Sequence, residues 1–279
     1  MNSRILVLIR PIMAFLLLAG LTPYRVYSAE PARREAGKPL AKITVEAGSH
    51  TRIDTPVSVA LEGMSESLSQ TNVCLQEIGP SSNPQPIPAQ IEQDNPPHEW
   101  RINPPRLWWI LPGTTAAGTT RSFQLVKEAV ETPDVRLIKD DSILQLQVGG
   151  ADVLRYNHAI VPAPAGQSKL FDRSGFIHPL WSPTGDILTD IHPADHIHHL
   201  GIWMPWTKTK FEDKDVDFWN LGEGQGTVRF VKFLSTTSGP VYGGFEAEQD
   251  HVALKTSAGE KTVLKEVWDV RVYIIGGSK

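Results

Sequence analysis

Ile143-Leu144-Gln145-Leu146-Gln147-Val148-Gly149-Gly150 decides the fold class. Apolar and polar side chains alternate residue by residue, the period of a strand with one face buried, and the glycine pair supplies a tight turn. Val153-Leu154-Arg155-Tyr156 follows as the next strand. The pattern returns in Val228–Phe233, Val263–Trp268 and Val270–Ile275. Upstream, Ile43–Val45, Val57–Leu61, Val73–Ile78, Trp108–Leu111 and Ser122–Val126 are shorter runs separated by turn-forming residues. Beyond the N-terminal segment, no stretch keeps a helical period over the roughly 12 residues that a stable helix needs. The chain therefore reads as all-β. A small N-terminal β-sandwich is expected over residues 42–131 and a larger antiparallel domain over 135–279, with Thr132-Pro133-Asp134 as punctuation between them.

Composition agrees with this. Among 279 residues, 22 are Gly and 22 are Pro, a turn-rich content that suits short strands better than a helical bundle. The net charge of -4 offers no basic excess to neutralise a phosphate backbone, so nucleic acid is not an expected partner. The single cysteine, Cys74, excludes a disulfide framework within the chain and a zinc site of several thiolates. It sits in a strand-like run, where an inert buried thiol is expected.

The N-terminus reads as an address. Arg4 precedes an apolar stretch from Ile5 to Leu21, and Val26-Tyr27-Ser28 offers a cleavage site. Residues 1–28 are expected to be a signal peptide and 29–41 a polar linker. Arg10 and Pro11 interrupt the apolar stretch too early for a membrane span of about 20 residues. The mature protein is expected to be secreted or periplasmic, without a membrane span.

Chemistry concentrates between Arg173 and Gly226. Five of the nine histidines lie between His178 and His199, and four of the eight tryptophans between Trp181 and Trp219. Within His196-Ile197-His198-His199, a strand would place His196 and His198 on one face and His199 on the other. Three readings follow. One histidine acts as a general acid or base near neutral pH, oriented by a carboxylate, with His196 or His198 in that role and Asp195 as the orienting group. Alternatively, His196, His198 and His199 hold a divalent metal, with Asp190, Asp195 or His192 able to complete the set. Or the histidines and aspartates tie a long loop to the sheet. Trp181, Trp203, Trp206 and Trp219 suit either core packing or stacking on sugar rings. Arg173, Asp190, Asp215, Asp217 and Asn220 are candidate partners for hydroxyl groups. Leu221-Gly222-Glu223-Gly224-Gln225-Gly226 lacks the Lys-Ser/Thr of a phosphate loop and reads as a turn between strands.

Three runs carry a resemblance: Gly175–Leu180, Pro193–Trp203 and Val216–Asn220. From about residue 135 onward the chain resembles a family of secreted bacterial proteins of unknown function that carries the label "methane oxygenase PmoA". The label itself implies a multi-span helical membrane protein, and this chain reads as β. The resemblance implies a large sandwich like that of mutarotases and polysaccharide lyases, in the company of carbohydrate-catabolic proteins. It also implies a longer chain than one ending at Lys279. Its His/Asp motif falls on His178, Asp195, His196, His198 and His199. The expected function is that of a carbohydrate-active enzyme, a hydrolase, lyase or epimerase working by His/Asp acid–base chemistry. His196, His198 and Asp195 are its expected catalytic groups, and Arg173, His178, Trp203 and Asn220 its substrate contacts. The alternatives are a metal-dependent enzyme and a non-catalytic glycan-binding or cell-surface protein.

Overall fold

The computed structural model describes residues 7–10, 39–61, 73–79, 85–92 and 105–275. The expected leader and linker lie outside these residues, apart from 7–10 and 39–41. Among the described residues there are strands and short 3-10 turns but no α-helix, so the chain is all-β. It divides into two compact units, Met1–Thr132 and Pro133–Lys279.

In the first unit the strands are β1 (Val7–Arg10), β2 (Ala41–Glu46), β3 (Arg52–Ala60), β4 (Cys74–Glu77), β5 (Ile87–Glu92), β6 (Arg106–Thr115) and β7 (Thr120–Val126). They follow one continuous antiparallel order, β1-β2-β7-β4-β5-β6-β3. β5 turns the corner: residues 87–88 pair with β4, while residues 89–92 pair with β6. Pro88, which has no N–H to give a ladder, sits where the partner changes. The strand order thus folds back on itself, and β2 and β3 from its two sides feed one core around Ile43, Val57, Val59, Leu107, Trp109 and Phe123. Cys74 is buried at its margin, and burial with the nearby Glu128 carboxylate pushes its thiol up to about 11, far from a reactive thiolate.

The second unit stacks two sheets. β8 (Val135–Lys139), β9 (Ile143–Val148), β10 (Ala151–Asn157) and β11 (Phe176–Leu180) make one, in the order β11-β10-β9-β8. β14 (Gly226–Thr237), β15 (Tyr242–Thr256) and β16 (Gly259–Tyr273) make the other as a meander. A small hairpin, β12 (Thr209–Phe211) with β13 (Lys214–Val216), lies in the connection between them. Leu144, Leu146 and Tyr156 of the first sheet meet Phe245, Ala247 and Trp268 of the second. Tyr156 is the hub, with ring centroids 6.0 Å from Phe230, 5.9 Å from Phe233, 4.7 Å from Phe245 and 6.0 Å from Trp268.

Two strand readings change. Val263–Trp268 and Val270–Tyr273 are a single strand, because Asp269 points outward and pairs with Arg271 Nε at 2.8 Å instead of breaking the ladder. β15, the central strand of its sheet, carries no clear period in the sequence. Gly243-Gly244 and the buried polar residues Glu246, Gln249 and His251 interrupt its apolar pattern. Gly244 is required there, since a Cβ would stand 2.2 Å from the Val270 carbonyl oxygen.

The Tyr156 hydroxyl is buried with no hydrogen-bond partner. Removing it lifts a desolvation cost, whereas removing the ring opens a cavity. Tyr156→Phe is expected to be neutral or stabilising by up to about 1 kcal/mol, and Tyr156→Ala to cost about 3–5 kcal/mol, in chemical denaturation. A loss above about 1 kcal/mol in Tyr156→Phe would mean that the hydroxyl is bonded.

Candidate functional site

The long connection from Trp181 to Gln225 holds its shape through three kinds of anchor. Apolar side chains bury beneath it: Phe176, Leu200 and Leu221 form a satellite core, joined by Phe171, Ile191 and Trp203. Backbone pairing ties it to β11, with Ile177 N donating to Ile202 O at 2.9 Å and Ile202 N to Ile177 O at 3.0 Å. A close approach makes that pairing possible. Gly201 lies at φ +53, and a Cβ there would stand 2.2 Å from the Ile177 carbonyl oxygen. Gly201 N also donates to Asp190 O at 2.8 Å, which draws the Asp190 segment alongside.

Ile191 bridges Leu200, and the residues between them close into a loop. His196 N donates to Pro193 O at 3.0 Å and His199 N to His196 O at 2.9 Å, two successive turns. His196-Ile197-His198-His199 is therefore not a strand, and its three imidazoles do not alternate between faces. They gather instead. His196 stacks on His199 (4.8 Å, 22°), His199 stacks on Trp219 (5.8 Å, 10°), and His198 stands edge-on to both His199 (4.6 Å) and Trp219 (5.9 Å). His192, at φ +53, braces the loop from within by donating Nδ1–H to Ile197 O at 2.6 Å. Burial, followed by the neighbouring His199 and His196, lowers the His198 imidazole below its usual value, against the pull of Asp217.

Beside this cluster opens a cleft of about 630 Å³, lined by Thr189, Asp190, His199, Trp203, Thr207 and Trp219 among others. Each indole is held from behind. Asp217 Oδ1 accepts the Trp219 and Asn220 amides at 2.7 and 2.9 Å, and its Oδ2 accepts Asn220 Nδ2 at 2.8 Å, fixing the turn that presents Trp219. The Arg173 guanidinium lies 4.7 Å from the Trp203 ring centroid. Thr189 Oγ1 bonds His178 Nδ1 at 2.9 Å and accepts Leu180 N at 3.0 Å, so His178 reaches the cleft through Thr189. Burial lowers the His178 imidazole below its usual value, with Asp190 opposing and the Arg155 charge adding to the shift.

The sequence-derived candidates separate accordingly. Trp203 and His199 face the cleft, and His178 and His198 stand behind it. Asp195 and His196 form a hydrogen-bonded pair at 3.0 Å in the open, with side chains 79% and 53% exposed, outside the cleft lining. That bond holds the Asp195 carboxyl below its usual value. Arg173 is only 2% exposed and backs Trp203 instead of facing outward, and Asn220 is taken up by Asp217. Among the described residues no three His, Cys, Asp or Glu side chains are grouped so as to hold a metal ion, the trio of His196, His198 and His199 included. Thr189 and Thr207 carry no signal in the sequence. They become visible only once the loop closes.

The fold and site define a class: an all-β unit with an open, aromatic-walled cleft built on the connection between its two sheets. Residues 143–278, most of that unit, match the model of a family of unknown function, DUF6807. No curated protein and no solved structure matches the chain.

Two outcomes test the anchors. Gly201→Ala is expected to cost about 2 kcal/mol or more and to shift the emission of the cleft tryptophans, because both its dihedral and its space exclude a Cβ. Gly185→Ala, at φ +91 with nothing within 4 Å, meets strain alone and is expected to cost about 1 kcal/mol. Equal losses would contradict the close approach at Ile177.

His251, fully buried beneath Met204, supplies the second test. Burial and then the Arg173 charge pull its imidazole down to about 4, against the Met204 backbone and Asp250. A histidine lowered in the folded state contributes stability that is complete above its unfolded value near 6.5 and lost as pH falls toward 4. Denaturation curves of the protein and of His251→Leu are expected to converge by on the order of 3 kcal/mol between pH 6.5 and 4. Parallel pH profiles would exclude a buried neutral imidazole.

Proposed function

We propose that this is an exported protein of carbohydrate catabolism and that the cleft receives a sugar, on which it acts as a hydrolase, lyase or epimerase. One observation carries the reading. Two indoles, an imidazole, a carboxylate and threonine hydroxyls line a single open cleft. Pyranose rings present apolar C–H faces edged by hydroxyls, and indole faces with nearby hydrogen-bonding groups complement them. Each of the three reactions moves a proton near neutral pH, which suits histidine. His199 faces the cleft and is the group placed to meet a bound ring. His196, stacked against His199 and hydrogen-bonded to Asp195, is the reserve through which a proton leaves for solvent. His178 and Arg173 act from behind, through Thr189 and Trp203.

The test pairs binding with turnover. Neutral and charged oligosaccharides are titrated against the full protein by tryptophan fluorescence, and mixtures are assayed for new reducing ends, unsaturated products or epimers. At least one saccharide is expected to bind. Trp219→Ala is expected to weaken it about 10-fold or more, a stacking loss of 1.4 kcal/mol or greater. His199→Ala is expected to retain binding and lose product. Binding without product under any condition would make the cleft a lectin-like site, and no binding at all would overturn the reading.

A further inference from the structure

The formal charge around the cleft is one-sided. Asp190 is the one fixed charge in the lining, which contains no lysine or arginine. Its Oδ1 accepts the Ile191 amide at 2.8 Å, and its Oδ2 makes no hydrogen bond or ion pair with any described residue. The carboxylate is exposed. The titratable neighbour that feels it, His178, is pushed toward its neutral form by burial and turns its Nδ1 to Thr189. Arg173 is sealed behind Trp203 and spends its guanidinium on that ring and on the Ser174 carbonyl at 3.3 Å. No lysine or arginine of the lining balances Asp190.

From this arrangement we infer that the ligand of the cleft is a sugar bearing a free amine, an unacylated amino sugar, and that uronic acids are excluded. The inference rests on the carbohydrate reading above. A pyranose stacked on the indoles would turn its protonated amine to Asp190 Oδ2, forming a charge-assisted hydrogen bond with an acceptor that is otherwise unused. A uronate would bring its carboxylate against Asp190 with no lysine or arginine in the lining to receive it, and the like charges disfavour the ligand. A neutral sugar keeps the stacking and forgoes the ion pair. The selectivity thus comes from a free acceptor and an absent donor, and the aromatic walls serve all three ligands equally.

Matched ligands read this directly. Tetramers of glucosamine, glucose and galacturonic acid are titrated by calorimetry at pH 7, where part of the amine is protonated, against the full protein and Asp190→Asn. The glucosamine tetramer is expected to bind at least 10-fold more tightly than the glucose tetramer, and the galacturonate tetramer not to bind. Asp190→Asn is expected to remove the amine preference, so that the glucosamine and glucose tetramers bind the variant within about twofold of each other. Galacturonate binding as tightly as glucosamine, or an amine preference that survives Asp190→Asn, would overturn the inference and leave the carbohydrate reading standing. No binding by any tetramer, together with failure of the wider saccharide panel, would remove both.

Discussion

The backbone exchange between Ile177 and Ile202 holds the candidate site together. Two hydrogen bonds join the long loop to β11, and they form only because Gly201 brings no Cβ to the Ile177 carbonyl. One side of the cleft hangs from this crossing. Asp190 is drawn in by the Gly201 amide, His199 sits three residues before Ile202 and Trp203 one residue beyond it. A long connection without regular structure would ordinarily be mobile. Here it covers its own apolar cluster and repeats backbone pairings at Ile191–Leu200 and Trp181–Ile187, so it behaves as a third layer of the unit.

Beneath that layer the interior is unusually polar. Arg173, Gln249 and His251 are buried close to an otherwise apolar sandwich. Gln249, with its amide turned to donate to Gly175 O and accept from Trp268 Nε1, both at 3.0 Å, satisfies its groups. Arg173 does not, since one terminal nitrogen lacks a partner, and burial pulls its guanidinium down to about 9 while leaving it charged at neutral pH. Such groups weaken a core. Their arrangement has a use nonetheless: the guanidinium braces Trp203, and the neutral imidazole of His251 lies under the next residue of the loop. Stability is given up where the cleft wall needs a fixed support.

Much of the fold was legible because alternation is a local property. Ile143–Val148 and the strand after Gly149-Gly150 need no tertiary information to be recognised. β15 was hidden for the opposite reason: a strand buried on both faces, with polar residues satisfied or neutralised by neighbours far along the chain, loses its period. In the site, the residue types were visible and their arrangement was not. The His196–His199 run alternates only if it is extended, and the pairing of Ile191 with Leu200 bends it into turns. Arg173 looks like a surface cation until Trp203, thirty residues on, packs over it. Asn220 looks like a ligand donor until Asp217 claims it.

The central claim is that this loop is a fixed wall. Site-resolved hydrogen exchange of the Ile177 and Ile202 amides measures it most directly, since both donate in the crossing that Gly201 permits. The account predicts protection of both amides comparable to that of β9 and β10, well above that of the Pro183–Asp186 turn. Exchange of the Ile202 amide at the rate of an open loop would contradict it and would leave the cleft without the scaffold on which the functional reading depends.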